Sequence, residues 1–306
     1  MQGTVDGFSY GLVTPVAAFV MACLGGALGL RCTTRSLRHR DTFKAGWLAL
    51  GATSIGSGIW TMHFIAMMGF SVDQAPISYD RPITFASLGV AILMVGIGIF
   101  IVGYRGATPL TLVTGGTITG LGIATMHYLG MAGMRLQGTI GYDTLTVALS
   151  VVIAVVAATT ALWAAVSVHG FLASLGASLV MGLAVSGMHY TAMAAVNVQV
   201  HGMGDAAGSG DTATSLLLPM LIGPAVFLLL AAVVVMFDPL LVMGDPDWQR
   251  PTAHGPHRPG VPAPRRAPAY GEPANWSARR PPARAGRGAG GGRKNAGRGA
   301  HRSQEW

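Results

Sequence analysis

The chain has 306 residues, of which 51% are hydrophobic and only 10% carry charge. Apolar residues gathered in runs of 20 or more exclude a soluble globular domain and describe a polytopic membrane protein. The net charge of +8 belongs to the end of the chain, where 12 of the 20 Lys and Arg follow residue 249, and a cysteine count of two excludes a disulfide framework.

Seven runs are long enough to cross a bilayer as helices: about 10–30, 45–69, 83–103, 110–134, 144–168, 172–196 and 214–237. The fold class that follows is an all-α membrane protein, a seven-transmembrane helix bundle. Asp6 precedes the first run without any Lys or Arg, so that run reads as a retained span and not a cleaved signal. The next loop, 31–44, holds Arg31, Arg35, Arg38, Arg40 and Lys44 and is cytoplasmic by the positive-inside rule. The N-terminus is then outside and the C-terminus, after seven crossings, cytoplasmic. Pro82 and Pro109 stand near helix starts, where a missing N–H costs little, while Pro219 and Pro224 fall inside the last span.

From Gly244 onward the composition changes to Pro, Gly, Ala and Arg. Too little aliphatic surface remains there to offset ordering entropy, so the reading is a membrane domain over 1–243 and a disordered cytoplasmic tail over 244–306. The tail's arginines suit anionic lipid headgroups of the bilayer. Nucleic acid is not an expected partner, because no RNP, zinc or helix-turn-helix pattern accompanies the charge.

Runs two, four and six repeat one phrase: Met62-His63-Phe64-Ile65-Ala66-Met67, Met126-His127-Tyr128-Leu129-Gly130-Met131 and Met188-His189-Tyr190-Thr191-Ala192-Met193. A shift of 64 positions also matches Gly51, Gly56 and Gly58 with Gly115, Gly120 and Gly122, and the third copy keeps Gly182. The internal repeat is thus about 60 residues long, a motif helix followed by a loop and a second helix. Each histidine lies six or seven residues before the outer end of its run, on the order of 10 Å below that end. Three histidines at one depth can meet.

Residues four apart share a helix face, so His63 with Met67, His127 with Met131 and His189 with Met193 form three His/Met faces, flanked by Met62, Met126 and Met188. Imidazole with thioether suits copper, especially Cu(I), and the lack of nearby carboxylates argues against Mg, Ca or Mn. A histidine inside a span is a functional candidate by default. The residues alone leave copper, haem, a quinone or a proton open. Phe64, Tyr128 and Tyr190 read either as an interfacial aromatic belt or as neighbours that hydrogen-bond a ligated group. Asp80, Asp143 and Asp211 read as helix caps, and His201 and Met203 as an outward extension of the site. With no Asp or Glu in the spans and no nucleophile beside a base, no enzymatic activity is expected.

These three copies in seven spans resemble the MHYT domain, a bacterial integral-membrane sensor named for its tetrapeptide, over about residues 8–240. The third copy matches that name in full; the other two differ in the last one or two letters. The resemblance implies a sensor whose Met and His residues bind copper and through it sense oxygen, carbon monoxide or nitric oxide. Family members often carry cytoplasmic modules that make or degrade cyclic di-GMP, or kinase and DNA-binding domains. The tail here resembles none of these, which implies signalling through a separate cytoplasmic partner or a role other than signalling. Two other functions fit the same histidines. A copper transporter would need ligating residues along its whole path, and a membrane haem protein would use two of the histidines as axial ligands.

Overall fold

A computed structural model describes residues 5–6, 9–38, 43–72, 77–136, 138–168, 170–200 and 213–237. Its helices are α1 Val13–Arg38, α2 Lys44–Met68, α3 Arg81–Arg105, α4 Pro109–Ala132, α5 Thr144–Ser167, α6 Phe171–Ala194 and α7 Ala213–Met236. Six of the seven are long and apolar enough to cross a bilayer, and the chain is a multi-pass membrane protein. The exception is α2, whose hydropathy is diluted by glycine, serine and threonine. It is also strongly enclosed, with 16 of its 25 residues buried. A helix shielded from lipid needs less hydrocarbon.

One expected boundary moves. The first helix continues to Arg38, so Arg31 and Arg35 lie on helix and not in a loop. Cations in a last turn face the unpaired carbonyls of the helix end, which favours this extension. Arg35 also lies over the Trp47 ring at 5.5 Å. The tail from Gly244, together with Arg40, Asp41, His201, Met203 and Asp211, lies outside the described residues.

Around the bundle, α1 packs on α2, α2 on α3, α3 on α4, α4 on α5 and α5 on α6, and α6 returns to α1. The six helices therefore form a closed ring of three hairpins, and α7 packs outside it against α2 and α1. Trp60 locks one seam: its fully buried indole N–H donates to the Thr84 carbonyl at 3.2 Å and lies 3.0 Å from the Ser87 hydroxyl.

Each hairpin is closed at one end by a short antiparallel ribbon that no hydropathy pattern announces. Strand β1 (Val5–Asp6) pairs with β2 (Ser71–Val72), β3 (Ser78–Tyr79) with β4 (Met134–Arg135), and β5 (Gly138–Tyr142) with β6 (Val196–Val200). Beside each ribbon one backbone N–H reaches the carbonyl that ends the motif helix: Ser9 to Gly69 at 3.0 Å, Asp80 to Gly133 at 2.8 Å and Asp143 to Ala195 at 2.9 Å. The unit that the backbone closes thus starts one helix earlier than the unit read from the sequence.

Asp80 and Asp143 are caps, accepting from the backbone N–H groups of Ile83 and Thr146. Asp80 also accepts from Arg135 at 2.8 Å, tying the start of α3 to β4. The Arg135 bond and the Ile83 N–H hold the Asp80 carboxyl below the usual carboxylate range. A depressed folded value contributes stability above the unfolded value of about 4 and loses it as pH falls. Asp80→Asn is therefore expected to lower the thermal midpoint at neutral pH, with the difference from wild type closing on acidification. Melts of the detergent-purified protein between neutral pH and about pH 3 check this.

Glycine seats the motif helices on their next neighbours. A Cβ on Gly56 would meet the Ile92 backbone of α3 at 2.9 Å, one on Gly120 the Val155 backbone of α5 at 2.5 Å, and one on Gly182 the Cys23 Sγ of α1 at 2.5 Å. These are the repeated glycines of the sequence. The third contact, to α1, closes the ring.

Candidate metal centre

The depth shared by the three histidines comes from equal helix registers. His63, His127 and His189 each stand five residues before the last residue of their helix, Met68, Ala132 and Ala194, which is about 7.5 Å along the axis. All three rings point inward, and all three residues are at most 2% exposed. Their Nδ1 atoms face one another: His63 to His189 at 3.1 Å, His63 to His127 at 3.2 Å and His127 to His189 at 3.3 Å. The ring centroids are 4.8, 5.0 and 5.2 Å apart, and each pair of rings stands close to perpendicular.

Three hydrogen bonds cannot form at once in this triangle. A protonated Nδ1 has no in-plane lone pair to accept with, and a bare one has nothing to donate. Whatever the tautomers, at least one contact sets two lone pairs or two N–H groups against each other. A cation at the centre removes the conflict by taking three lone pairs together. The point equidistant from the three nitrogens lies about 1.85 Å from each, the mean side of 3.2 Å divided by √3. Imidazole nitrogens bind first-row ions at about 2.0–2.1 Å, so a slight widening suffices. The buried three-histidine group can hold a metal ion.

The outer ring nitrogens meet a different setting. Nε2 of His63 and Nε2 of His127 are buried without a hydrogen-bond partner among the described residues. Metal-bound histidines usually donate that second N–H to a carboxylate or carbonyl, and here such partners are lacking. Each orphaned group costs about 1–3 kcal/mol.

The methionines occupy two layers. Met62, Met126 and Met188, just before the histidines, are buried to 1% or less, as are Met67 and Met131 four residues after them. Met193 is half-buried and packs against the same core. Phe64 does not belong to a belt at the membrane surface, whereas Tyr128 and Tyr190 are half-buried. Phe64 is fully buried, and Phe64, Tyr128 and Tyr190 each lie edge-on to the preceding histidine, with centroids 4.6, 4.9 and 5.1 Å apart. The Tyr128 hydroxyl pairs with Ser150 at 2.8 Å, on α5.

Gly130 is a site residue that residue chemistry does not flag. A Cβ there would stand 2.7 Å from His63 Nε2 and 3.2 Å from the Phe64 ring. Its counterparts Ala66 and Ala192 are buried to 3% or less. The small residue repeated three positions after each histidine is the signal in the sequence that points to it. Gly130→Ala is expected to push the His63 ring out of the triangle. Metal affinity should fall by about 10–100-fold, the range for disturbing a ligand's support, with all three histidines intact. Competition against a chelator of known affinity measures this.

Comparison with known proteins agrees with the repeat. A family model described as MHYT, bacterial signalling protein N terminal repeat, matches residues 56–115 and 120–178. The third copy of the motif, around His189, lies beyond those segments. The chain is 37% identical over 207 residues to the bifunctional diguanylate cyclase/cyclic di-GMP phosphodiesterase MucR of Pseudomonas aeruginosa, covering 66% of this chain and 30% of that protein. It is 38% identical over 219 residues to the cyclic di-GMP phosphodiesterase NbdA of the same organism, covering 65% of this chain and 27% of that one. The signaling protein YkoW of Bacillus subtilis is 30% identical over 186 residues, covering 58% of this chain and 23% of YkoW. The chain thus spans less than a third of the length of these relatives, and no solved structure matches it. Repeat, spans and relatives agree that residues 56–178 of the chain carry the MHYT repeat of bacterial signalling proteins.

Proposed function

We propose that this chain is a membrane sensor module in which His63, His127 and His189 hold copper, and that occupancy or redox state of that site is the signal. The observation that carries the reading is the buried Nδ1 triangle with sides of 3.1–3.3 Å. Met67, Met131 and Met193, one turn beyond the histidines on the same faces, are proposed as thioether donors on one side of that triangle, with Met62, Met126 and Met188 alongside. Neutral nitrogen and sulfur donors with no carboxylate favour Cu(I) over harder ions. Copper there supplies one-electron redox chemistry and a coordination position for a small donor such as O2, CO or NO. The motif helices transmit the change, because each is clamped to a neighbouring helix by a glycine seam.

The orientation from loop charge places the histidines near the outer face and the tail in the cytoplasm. A separate cytoplasmic partner then reads the signal. The names of MucR and NbdA suggest cyclic di-GMP enzymes as the class of output. The module itself is proposed to be non-catalytic.

Two alternatives are less well supported. Nitrogens crowded to 3.1–3.3 Å leave no gap for a porphyrin between any two rings. A copper transporter needs donors along its path, and the core one turn below the histidines is hydrocarbon: Ile59, Ile123 and Val185. Metal analysis with optical spectra of the membrane-reconstituted chain tests the reading. About one copper per three-histidine group is expected; copper at background after reconstitution overturns it, and a Soret band would replace it with haem.

A further inference from the structure

A hollow lies on the bundle axis directly beneath the histidines. Its walls include Ile59, Ile123 and Val185, each four residues before its histidine, and Ile55, Thr119 and Met181, each eight before. Two successive layers of the three-hairpin ring therefore surround one chamber, coaxial with the Nδ1 triangle. The chamber is an ordered consequence of sequence. Taking Asp80 and Asp143 as equivalent caps gives an offset of 63 between α3 and α5, so Ala158 stands where α3 has Val95, and Ala165 where α3 has Val102. Methyl groups are missing from one wall.

We propose that this chamber is a binding site for a neutral, apolar molecule of about two heavy atoms. Its volume is about 30 Å³, while one water-sized occupant needs about 10–15 Å³ measured the same way. Water itself is a poor occupant, because it needs two to four polar partners. Of the two hydroxyls in the wall, Thr33 already donates to the Gly29 carbonyl at 2.8 Å. Thr119 offers the other, buried and without a partner among the described residues. One free hydroxyl in a hydrocarbon wall leaves the chamber dry and suited to a small apolar gas.

A second hollow of about 230 Å³, lined by Thr34, Leu37, Gly106 and Val166 among others, shares Ala165 as a wall. It lies at the end of the bundle that carries Arg35 and Arg105. On the opposite side Phe64, Met67 and Met131 are buried to 1% or less and close the core.

Binding in the chamber stands independently of the copper reading; only its effect on the metal rests on that reading. Xenon is the probe, applied under pressure to metal-free protein in nanodiscs carrying 13C-labelled isoleucine and methionine methyls. Resonances of Ile55, Ile59, Ile123 and Met181 are expected to shift with saturation, while the exposed Ile97 and Ile222 shift only in proportion to pressure. Ala158→Leu, which fills the space, is expected to abolish the saturable shift; Ala161→Val serves if that variant does not fold. Chamber methyls that respond no differently from Ile97 and Ile222, or a saturable shift unchanged in the filled variants, would overturn the proposal. A protein that binds xenon but no copper retains the chamber and loses the sensor centre. One that binds copper but no xenon does the reverse.

Discussion

Replacing any one of His63, His127 and His189 with alanine is expected to remove copper from the reconstituted chain as completely as replacing all three. The reason is the shape of the site: three nitrogens contribute one lone pair each to a single point about 1.85 Å from all of them, from sides of 3.1–3.3 Å. Two lone pairs leave the ion open toward the missing ring in a buried core, where no carboxylate stands among the described residues and the proposed thioethers lie to one side of the triangle, not in the place of the lost nitrogen. Loss of a supporting residue near a metal site costs about 10–100-fold in affinity, so loss of a ligand exceeds that. The three substitutions act on one object, and their effects should therefore be far from additive. Copper per chain, measured after equilibration with a competing chelator, distinguishes the cases. Any single variant that keeps wild-type copper would reduce the triangle to a packing cluster.

The convergence is legible in the sequence because a helix converts spacing into position. Three copies at intervals of 64 and 62 residues, each late in an apolar run, fix depth and face by spacing alone. What the runs hide is local. Ribbons of two to five residues have no hydropathy period, so the closure of each hairpin is invisible in them, and with it the phase of the repeat. The length of α1 is hidden because arginines in a last helical turn look like a loop when read for hydropathy alone. The aromatics fit a membrane belt equally well in one dimension; only the packing shows Phe64 inside and edge-on to His63. The chamber is illegible for a different reason. It depends on which alanines of α5 face the axis, and that angle is set by neighbouring helices and not by the sequence of α5 itself.

Gly120→Ala and Gly187→Ala are expected to part company, although both are a single methyl added to a motif helix. At Gly120 the new Cβ would lie 2.5 Å from Val155 Cα, 2.7 Å from its nitrogen and 2.8 Å from the Ala154 carbonyl carbon. These are backbone atoms of α5 and cannot rotate aside, so the whole seam between α4 and α5 must open. Overpacking of this kind costs about 1–3 kcal/mol and occasionally more, against a helix-propensity gain of at most about 1 kcal/mol from replacing glycine. Because α4 also carries His127, the shift displaces one corner of the nitrogen triangle, and copper affinity should fall together with stability. At Gly187, two residues before His189, nothing stands within 4 Å of the added carbon. Only the propensity gain remains there, so stability should rise slightly and copper binding should stay at the wild-type level. Denaturant unfolding in micelles, paired with chelator competition, reads both quantities on the same samples. Equal tolerance of the two substitutions would mean that α4 and α5 are not in backbone contact, and the glycine seams would then no longer explain how a change at the histidines reaches the rest of the bundle.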